Sequence, residues 1–257
     1  MSTFNDLLSV NSQLGEETKS VIKAISLNEK TTWEKFQEET KDMFQYQELG
    51  WFCKGYSFRE IIKEAKRADP EDFHGPFEII TDFLYLGGAL TAASPLRLKN
   101  CGIRYILNLS CLDNFFEREE QLVEYPGIEP FRYLRIVIDD NCKVDIRQYF
   151  NICAKFINMA RDEHERVYVH CYAGISRSVT IILAYLASIG RWNIDDELMK
   201  IKTLHSWKCQ PNPAFMRQLY EYADDLKKGT YSTQASKSSV ALEDPKKRFY
   251  ETLDLDE

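Results

Sequence analysis

Val169-His170-Cys171-Tyr172-Ala173-Gly174-Ile175-Ser176-Arg177-Ser178 is the stretch that decides how this chain is read. An apolar run from Arg166 to His170 precedes it, in the manner of a buried strand, and a helical run starts directly after it. Five residues separate Cys171 from Arg177, the smallest loop that can wrap a phosphate dianion. Backbone N–H groups from Tyr172 to Ser176 can turn inward as an anion nest, and the N-terminus of the following helix adds partial positive charge. Gly174 permits the tight backbone, while Ala173 and Ser176 are small enough to stay off the ligand. Arg177 supplies a planar fork for two phosphate oxygens. Cys171 then lies at the bottom of the cradle, where the positive surroundings should lower its pKa and make it a nucleophilic thiolate. The pattern points to cleavage of a phosphate ester by cysteine.

Two further polar residues flank the nucleophile. A buried imidazole at His170, bonded to backbone beside the cysteine, would hold the loop amides in place rather than act as a base. The hydroxyl of Ser178 can donate to the departing thiolate when water attacks phosphocysteine, and it can cap the helix as well. Such chemistry also needs a carboxylic acid to protonate the leaving oxygen. The adjacent pair Asp139 and Asp140, at the end of an apolar strand upstream, are the candidates.

The composition suits a soluble intracellular protein with one ordinary domain and extensions. The chain has 257 residues, 44% of them hydrophobic, and a net charge of −7. That charge argues against a broad nucleic-acid or anionic-membrane surface, though not against a local electropositive pocket. Seven cysteines without paired metal-ligand spacing, and no secretory signal, read as reduced thiols in the cytoplasm or nucleus. No metal or cofactor is expected. Val179 to Ile189 is too short and too polar to span a membrane.

Three regions follow from composition. Residues 1–73 form an extension that is polar at first and then partly helical. Trp33, Phe36, Met43, Phe44 and Gln47 share one helical face behind Thr31 or Thr32 as cap, and Phe58, Ile61, Ile62 and Ala65 share another, ended by Asp69-Pro70. Both are expected to pack on the domain that follows. Residues 74–228 alternate strands with helices: a strand pair over Glu78–Gly88, a helix over Thr91–Asn100, and strands over Arg104–Ser110 and Phe131–Ile138. A helix capped by Asp145 follows, then the Cys171 strand and three more helices. That alternation predicts an α/β fold, a central sheet flanked by helices. Residues 229–257 are Ser/Thr-rich and then charged, a disordered tail.

The loop H-C-x-A-G-x-S-R-S resembles the signature of the dual-specificity protein phosphatases, within the cysteine-based protein tyrosine phosphatase superfamily. The helix V-T-I-I-L-A-Y-L-A continues as in that family. Y-L-G-G-A, G-I-R-Y-I-L-N-L-S and N-F-F-E extend the likeness over about Phe77 to Leu226 and are most similar to the catalytic domain of mitogen-activated protein kinase phosphatases. The resemblance implies a protein-tyrosine-phosphatase-like mixed sheet and metal-free hydrolysis through phosphocysteine. It also implies a pocket shallow enough for phosphoserine and phosphothreonine as well as phosphotyrosine, because the K-N-R-Y and W-P-D loops of tyrosine-only enzymes are missing. The match of I-V-I-D-D-N to the family's I-P-x-x-D segment assigns Asp140 as the general acid, although Val137 replaces the usual proline. The same resemblance makes Asn108 a brace for the phosphate loop. Residues 1–76 do not resemble the rhodanese-like domain that kinase phosphatases of this type usually carry. The alternatives are a non-catalytic phosphoprotein-binding module and a phosphatase for a non-protein substrate.

Two more expectations lie outside the core motif. Cys142, two residues past Asp140, is positioned to trap oxidised Cys171 as a disulfide. In the tail, Lys246, Lys247 and Arg248 precede Leu253 and Leu255, the form of a docking peptide for a mitogen-activated protein kinase.

Overall fold

A computed structural model describes residues 32–40, 58–67, 75–206 and 208–231. Its centre is a five-stranded sheet: β1 (Phe77–Ile80), β2 (Leu84–Gly87), β3 (Ile103–Asn108), β4 (Arg132–Arg135) and β5 (Arg166–His170). The spatial order is β1-β2-β5-β3-β4. β1 and β2 form an antiparallel hairpin, and every other pairing is parallel. The interior strands are apolar on both faces, as a sheet covered on both sides requires. Val167 and Val169 of β5 face one core, together with Leu84, Leu86, Tyr105 and Leu107. Tyr168 faces the other, with Tyr85 and Ile106.

Parallel pairing brings the C-terminal ends of four strands into one row. Gly87 lies beside His170, His170 beside Asn108, and Asn108 beside Arg135. Every loop that carries chemistry leaves from this edge, the usual place for ligands in such sheets.

Helices cover both faces. In chain order they are α1 (Trp33–Thr40), α2 (Phe58–Arg67), α3 (Ala89–Ala92), α4 (Pro95–Asn100), α5 (Phe150–Asp162), α6 (Arg177–Ser188), α7 (Ile194–Leu204) and α8 (Pro213–Lys228). Every residue of α6 from Ser178 to Ser188 is buried, so it is a central helix with no solvent face. It packs among α5, α7 and α8.

Local chemistry moved several predicted boundaries. The single helix expected over Thr91–Asn100 is two, because Ser94 is extended ahead of Pro95, whose ring cannot continue a helix. The strand expected over Phe131–Ile138 keeps its ladder only over Arg132–Arg135. Asp145 does not cap α5 itself. It accepts from the Arg147 N–H (3.1 Å) and opens a 3-10 turn, Arg147–Tyr149, that leads into the helix. Gly229 closes α8 in the left-handed conformation. Beyond it, Tyr231 still packs edge-on against Tyr222 and donates to Asn151 (2.8 Å), so Gly229 to Tyr231 belong with the folded domain rather than with a tail.

Thr32 caps α1 by accepting from the Lys35 N–H (3.3 Å). Trp33 and Phe36 then reach Phe156 of α5, and Trp33 meets Tyr105 of β3 edge-on. Phe36 is fully buried, a contribution of about 1.5–3 kcal/mol by transfer free energy. Ile61 of α2 is buried against the opposite core. Met43, Phe44, Gln47, Asp69, Pro70 and the Phe58 side chain lie outside the described residues, as do Lys246 to Leu255. Cys101, Cys142, Cys153, Cys171 and Cys209 are free. Cys111 is disulfide-bonded, which corrects the expectation that all thiols are reduced. Closeness of two sulfurs in the fold, which composition does not reveal, decides such a bond.

Candidate active site

The loop from Cys171 to Arg177 is built from backbone outward. Gly174 has φ +73°, and a Cβ there would lie 2.7 Å from both the carbonyl carbon and oxygen of Gly87. Only glycine fits so close to the end of β2. The Ala89 N–H donates to the Tyr172 carbonyl (2.9 Å), pinning one side of the loop to Gly88-Ala89. On the other side the Gln210 N–H donates to the Ile175 carbonyl (3.0 Å), and the Cys209 thiol donates to the Gly174 carbonyl (3.7 Å). With its carbonyls occupied outside, the loop presents its N–H groups inward. Tyr172 and Ala173 are exposed at the mouth, while Gly174, Ser176 and Ser178 are buried.

Cys171 is only 2% exposed. Burial opposes its ionisation, but the Arg177 charge, the Ser178 hydroxyl and nearby N–H groups outweigh it, and the thiol pKa is lowered. Its Sγ lies 3.3 Å from Ser178 Oγ. His170 is wholly buried, and burial above all holds its pKa down to about 4, so the ring is neutral at pH 7. Its Nδ1–H donates to the Cys171 carbonyl (3.1 Å), which makes it a support of the loop and not a base.

Arg177 is anchored by the Ile138 carbonyl (3.0 Å) and the Leu109 carbonyl (3.4 Å), both accepting from Nη1. Its Nε is buried with no hydrogen-bond partner among the described residues, the state of a donor reserved for an oxyanion. Nε lies 3.7 Å from Asp140 Oδ2. Asp140 is further held by Ser176 Oγ, which donates to Oδ1 (2.8 Å), and by Asn212 Nδ2, which donates to the same oxygen (2.9 Å). Asp139 is exposed and makes no hydrogen bond or ion pair among the described residues.

Asn108 does a different job from the one expected. Its amide donates to the Leu112 carbonyl (2.9 Å) and Asn114 Oδ1 (3.1 Å), and its Oδ1 accepts from the N–H and hydroxyl of Ser110. It therefore shapes the segment after β3, because its side chain meets that segment's turn before it could reach the phosphate loop. Its effect on the site passes through Leu109, whose N–H donates to the His170 carbonyl (2.8 Å).

Sequence reasoning missed Asn212, Gln210 and Cys209. Asn212 caps α8 through its Oδ1 (3.0 Å from the Phe215 N–H), and the Asn-Pro pair that starts the helix was its one visible signal. Cys142 is exposed, whereas the thiol in contact with the phosphate loop is Cys209. A cleft of about 590 Å³ lined by Arg191, Glu197, Tyr220 and Lys227 lies beyond the far end of α6 and has no part in this cradle.

Comparison with known proteins agrees with this geometry. The mouse dual specificity protein phosphatase 1 is 36% identical over 174 residues, 67% of this chain and 44% of that protein. The human protein phosphatase Slingshot homolog 2 is 33% identical over 176 residues, 68% of this chain and 12% of that protein. The chain thus spans less than half the length of these relatives. A solved mouse putative dual specificity phosphatase, complexed with zinc tungstate, shares the fold with TM-score 0.50 and 23% identity, covering 63% of this chain and 92% of that one. The family described as dual specificity phosphatase, catalytic domain, matches residues 84–225, and the chain belongs to that family.

Proposed function

We propose that this chain hydrolyses phosphotyrosine and phosphoserine or phosphothreonine in proteins through a phosphocysteine intermediate. The observation that carries the reading is the buried Cys171, its thiol made acidic beside Arg177, with Asp140 held over the same loop. In the first step the Cys171 thiolate attacks phosphorus and the bond to the leaving oxygen breaks. Arg177 and the loop N–H groups hold the equatorial oxygens, and Asp140 gives its proton to the leaving alkoxide or phenoxide. In the second step water attacks phosphocysteine and passes a proton to Asp140. Ser178 stabilises the departing thiolate from 3.3 Å. The exposure of Tyr172 and Ala173 at the rim supports a shallow pocket that admits both short and long phosphorylated side chains.

Cys171→Ser is expected to abolish hydrolysis of an aryl phosphate while still binding vanadate. Hydrolysis surviving in that variant would sink the mechanism.

A mitogen-activated protein kinase is the proposed class of substrate, docked through Lys246, Lys247 and Arg248 with Leu253 and Leu255. The support is the sequence pattern together with the domain's likeness to kinase phosphatases. Truncation after Tyr231 should spare hydrolysis of a small aryl phosphate and slow dephosphorylation of a phosphorylated kinase about tenfold, the loss of about 1.4 kcal/mol of tethering. Equal rates on the kinase with and without the tail would end this part of the reading.

A further inference from the structure

Asn212 lies far from Cys171 in sequence, yet all three of its polar groups are committed around the acid. Its Oδ1 accepts from the Phe215 N–H (3.0 Å), its own N–H donates to Ser176 Oγ (3.2 Å), and its Nδ2 donates to Asp140 Oδ1 (2.9 Å). The cap bond settles which way the amide points. Because the oxygen must face an N–H of α8, the NH₂ must face Asp140. Ser176 Oγ is fixed in the same way. It accepts from the Asn212 N–H, so its proton is directed to Asp140 Oδ1 (2.8 Å).

The two donors on Oδ1 have a chemical consequence. A protonated carboxyl carries its proton on one oxygen only, and Oδ1 has both lone pairs engaged by Ser176 and Asn212. The proton is therefore confined to Oδ2, the oxygen 3.7 Å from Arg177 Nε and so on the side of the transferring phosphoryl group. Without these donors either oxygen could hold the proton, and half of the protonated population would point it the wrong way. The loop bearing Asp140 also lacks the proline usual in the resembling families, since Val137 stands there, so its orientation depends more on bonds from outside the loop.

Resting on the phosphatase reading above, we propose that Asn212 is a positioning residue for the general acid: acting with Ser176, it confines the Asp140 proton to Oδ2 and aims it at the leaving oxygen. The residue touches neither substrate nor phosphorus and works only through Asp140. It also joins the start of α8 to the chemistry, so the helix cap and the acid share one side chain.

The test is Asn212→Ser in the full chain. Serine keeps the N-cap acceptor, so α8 is retained, but its side chain is too short to donate to Asp140. Turnover of an alkyl phosphate such as a phosphoserine peptide, a poor leaving group, should fall roughly tenfold to a hundredfold with KM little changed. An aryl phosphate with a good leaving group should lose much less, and the dependence of rate on leaving-group pKa should steepen. In an Asp140→Asn background, Asn212→Ser should add almost nothing. Equal losses on both substrates, no loss on either, or the same loss with and without the Asp140 carboxyl would overturn the inference. The single variant Asp140→Asn separates the two layers. If it shows no leaving-group-dependent loss, the acid assignment falls and the inference with it. If it shows that loss and Asn212→Ser does not, only the positioning role fails.

Discussion

The two loops that meet over Cys171 are built on opposite plans. The phosphate loop, Cys171 to Arg177, is framed almost wholly by backbone: Gly174 against Gly87, Tyr172 against Ala89, Ile175 against Gln210. The segment from Ile136 to Val144 that carries Asp140 is held at the site by side chains from elsewhere, Ser176, Asn212 and, at its far end, Gln218. A backbone frame fixes a geometry that few substitutions can disturb. A side-chain frame can be loosened one residue at a time. The difference assigns rigid anion recognition to the first loop and an adjustable proton donor to the second.

The sharpest way to break the comparison is Arg177→Ala, the one change that strips the backbone-framed loop of its charged ligand-binding group. Turnover should fall by about 10³–10⁵-fold, the range found for arginines that stabilise phosphoryl transfer. Arg177 also lowers the Cys171 pKa, so alkylation of the variant by iodoacetamide should need a higher pH than in the wild type. An unshifted alkylation profile would remove Arg177 as the source of thiol acidity.

A smaller effect concerns the support beneath that loop. The unfolded chain protonates His170 near the ordinary value of 6.5, while the folded chain resists until about 4. The folded pKa is depressed, so the full stabilisation is present above 6.5 and drains away as pH falls through that window, by up to about 3 kcal/mol. Chemical denaturation from pH 7 downward should show this loss, and His170→Asn should flatten it. An unchanged acid limb in the variant would place the sensitivity elsewhere.

The smallest effect probes the side-chain frame. Gln218 donates to the Val144 carbonyl (3.0 Å) and accepts from the Arg147 N–H (3.1 Å), closing the acid segment onto α8. Gln218→Ala should cost about 1 kcal/mol per lost bond and slow poor-leaving-group substrates a few-fold. Substrates with good leaving groups should scarcely change, and parallel slowing of both classes would mean the loops are not framed separately.

The same contrast explains what could be read from sequence. The phosphate loop is contiguous, and each of its residues is constrained by its neighbours, so Cys171, Gly174, Arg177 and Ser178 stood out together. The apolar runs of β2, β3 and β5 were legible because an interior strand must be apolar on both faces. Asp140 needed a family resemblance to be chosen over Asp139, since two adjacent acids after a strand are locally equivalent. Asn212 was invisible as a site residue because its bond to Asp140 joins segments 72 residues apart, and nothing local marks a cap that also serves a distant carboxyl. Asn108 misled for a related reason, as an amide at a strand end can serve either loop that it faces.

The central claim is that phosphate passes through Cys171. Rapid-quench mass spectrometry of the full chain during turnover of an aryl phosphate tests it most directly. Phosphate should be found on the Cys171 sulfur within the first turnover, should accumulate further in Ser178→Ala, where the thiolate leaves more slowly, and should vanish in Cys171→Ser. Phosphate on another residue, or full turnover with no phosphocysteine at any time, would contradict the account.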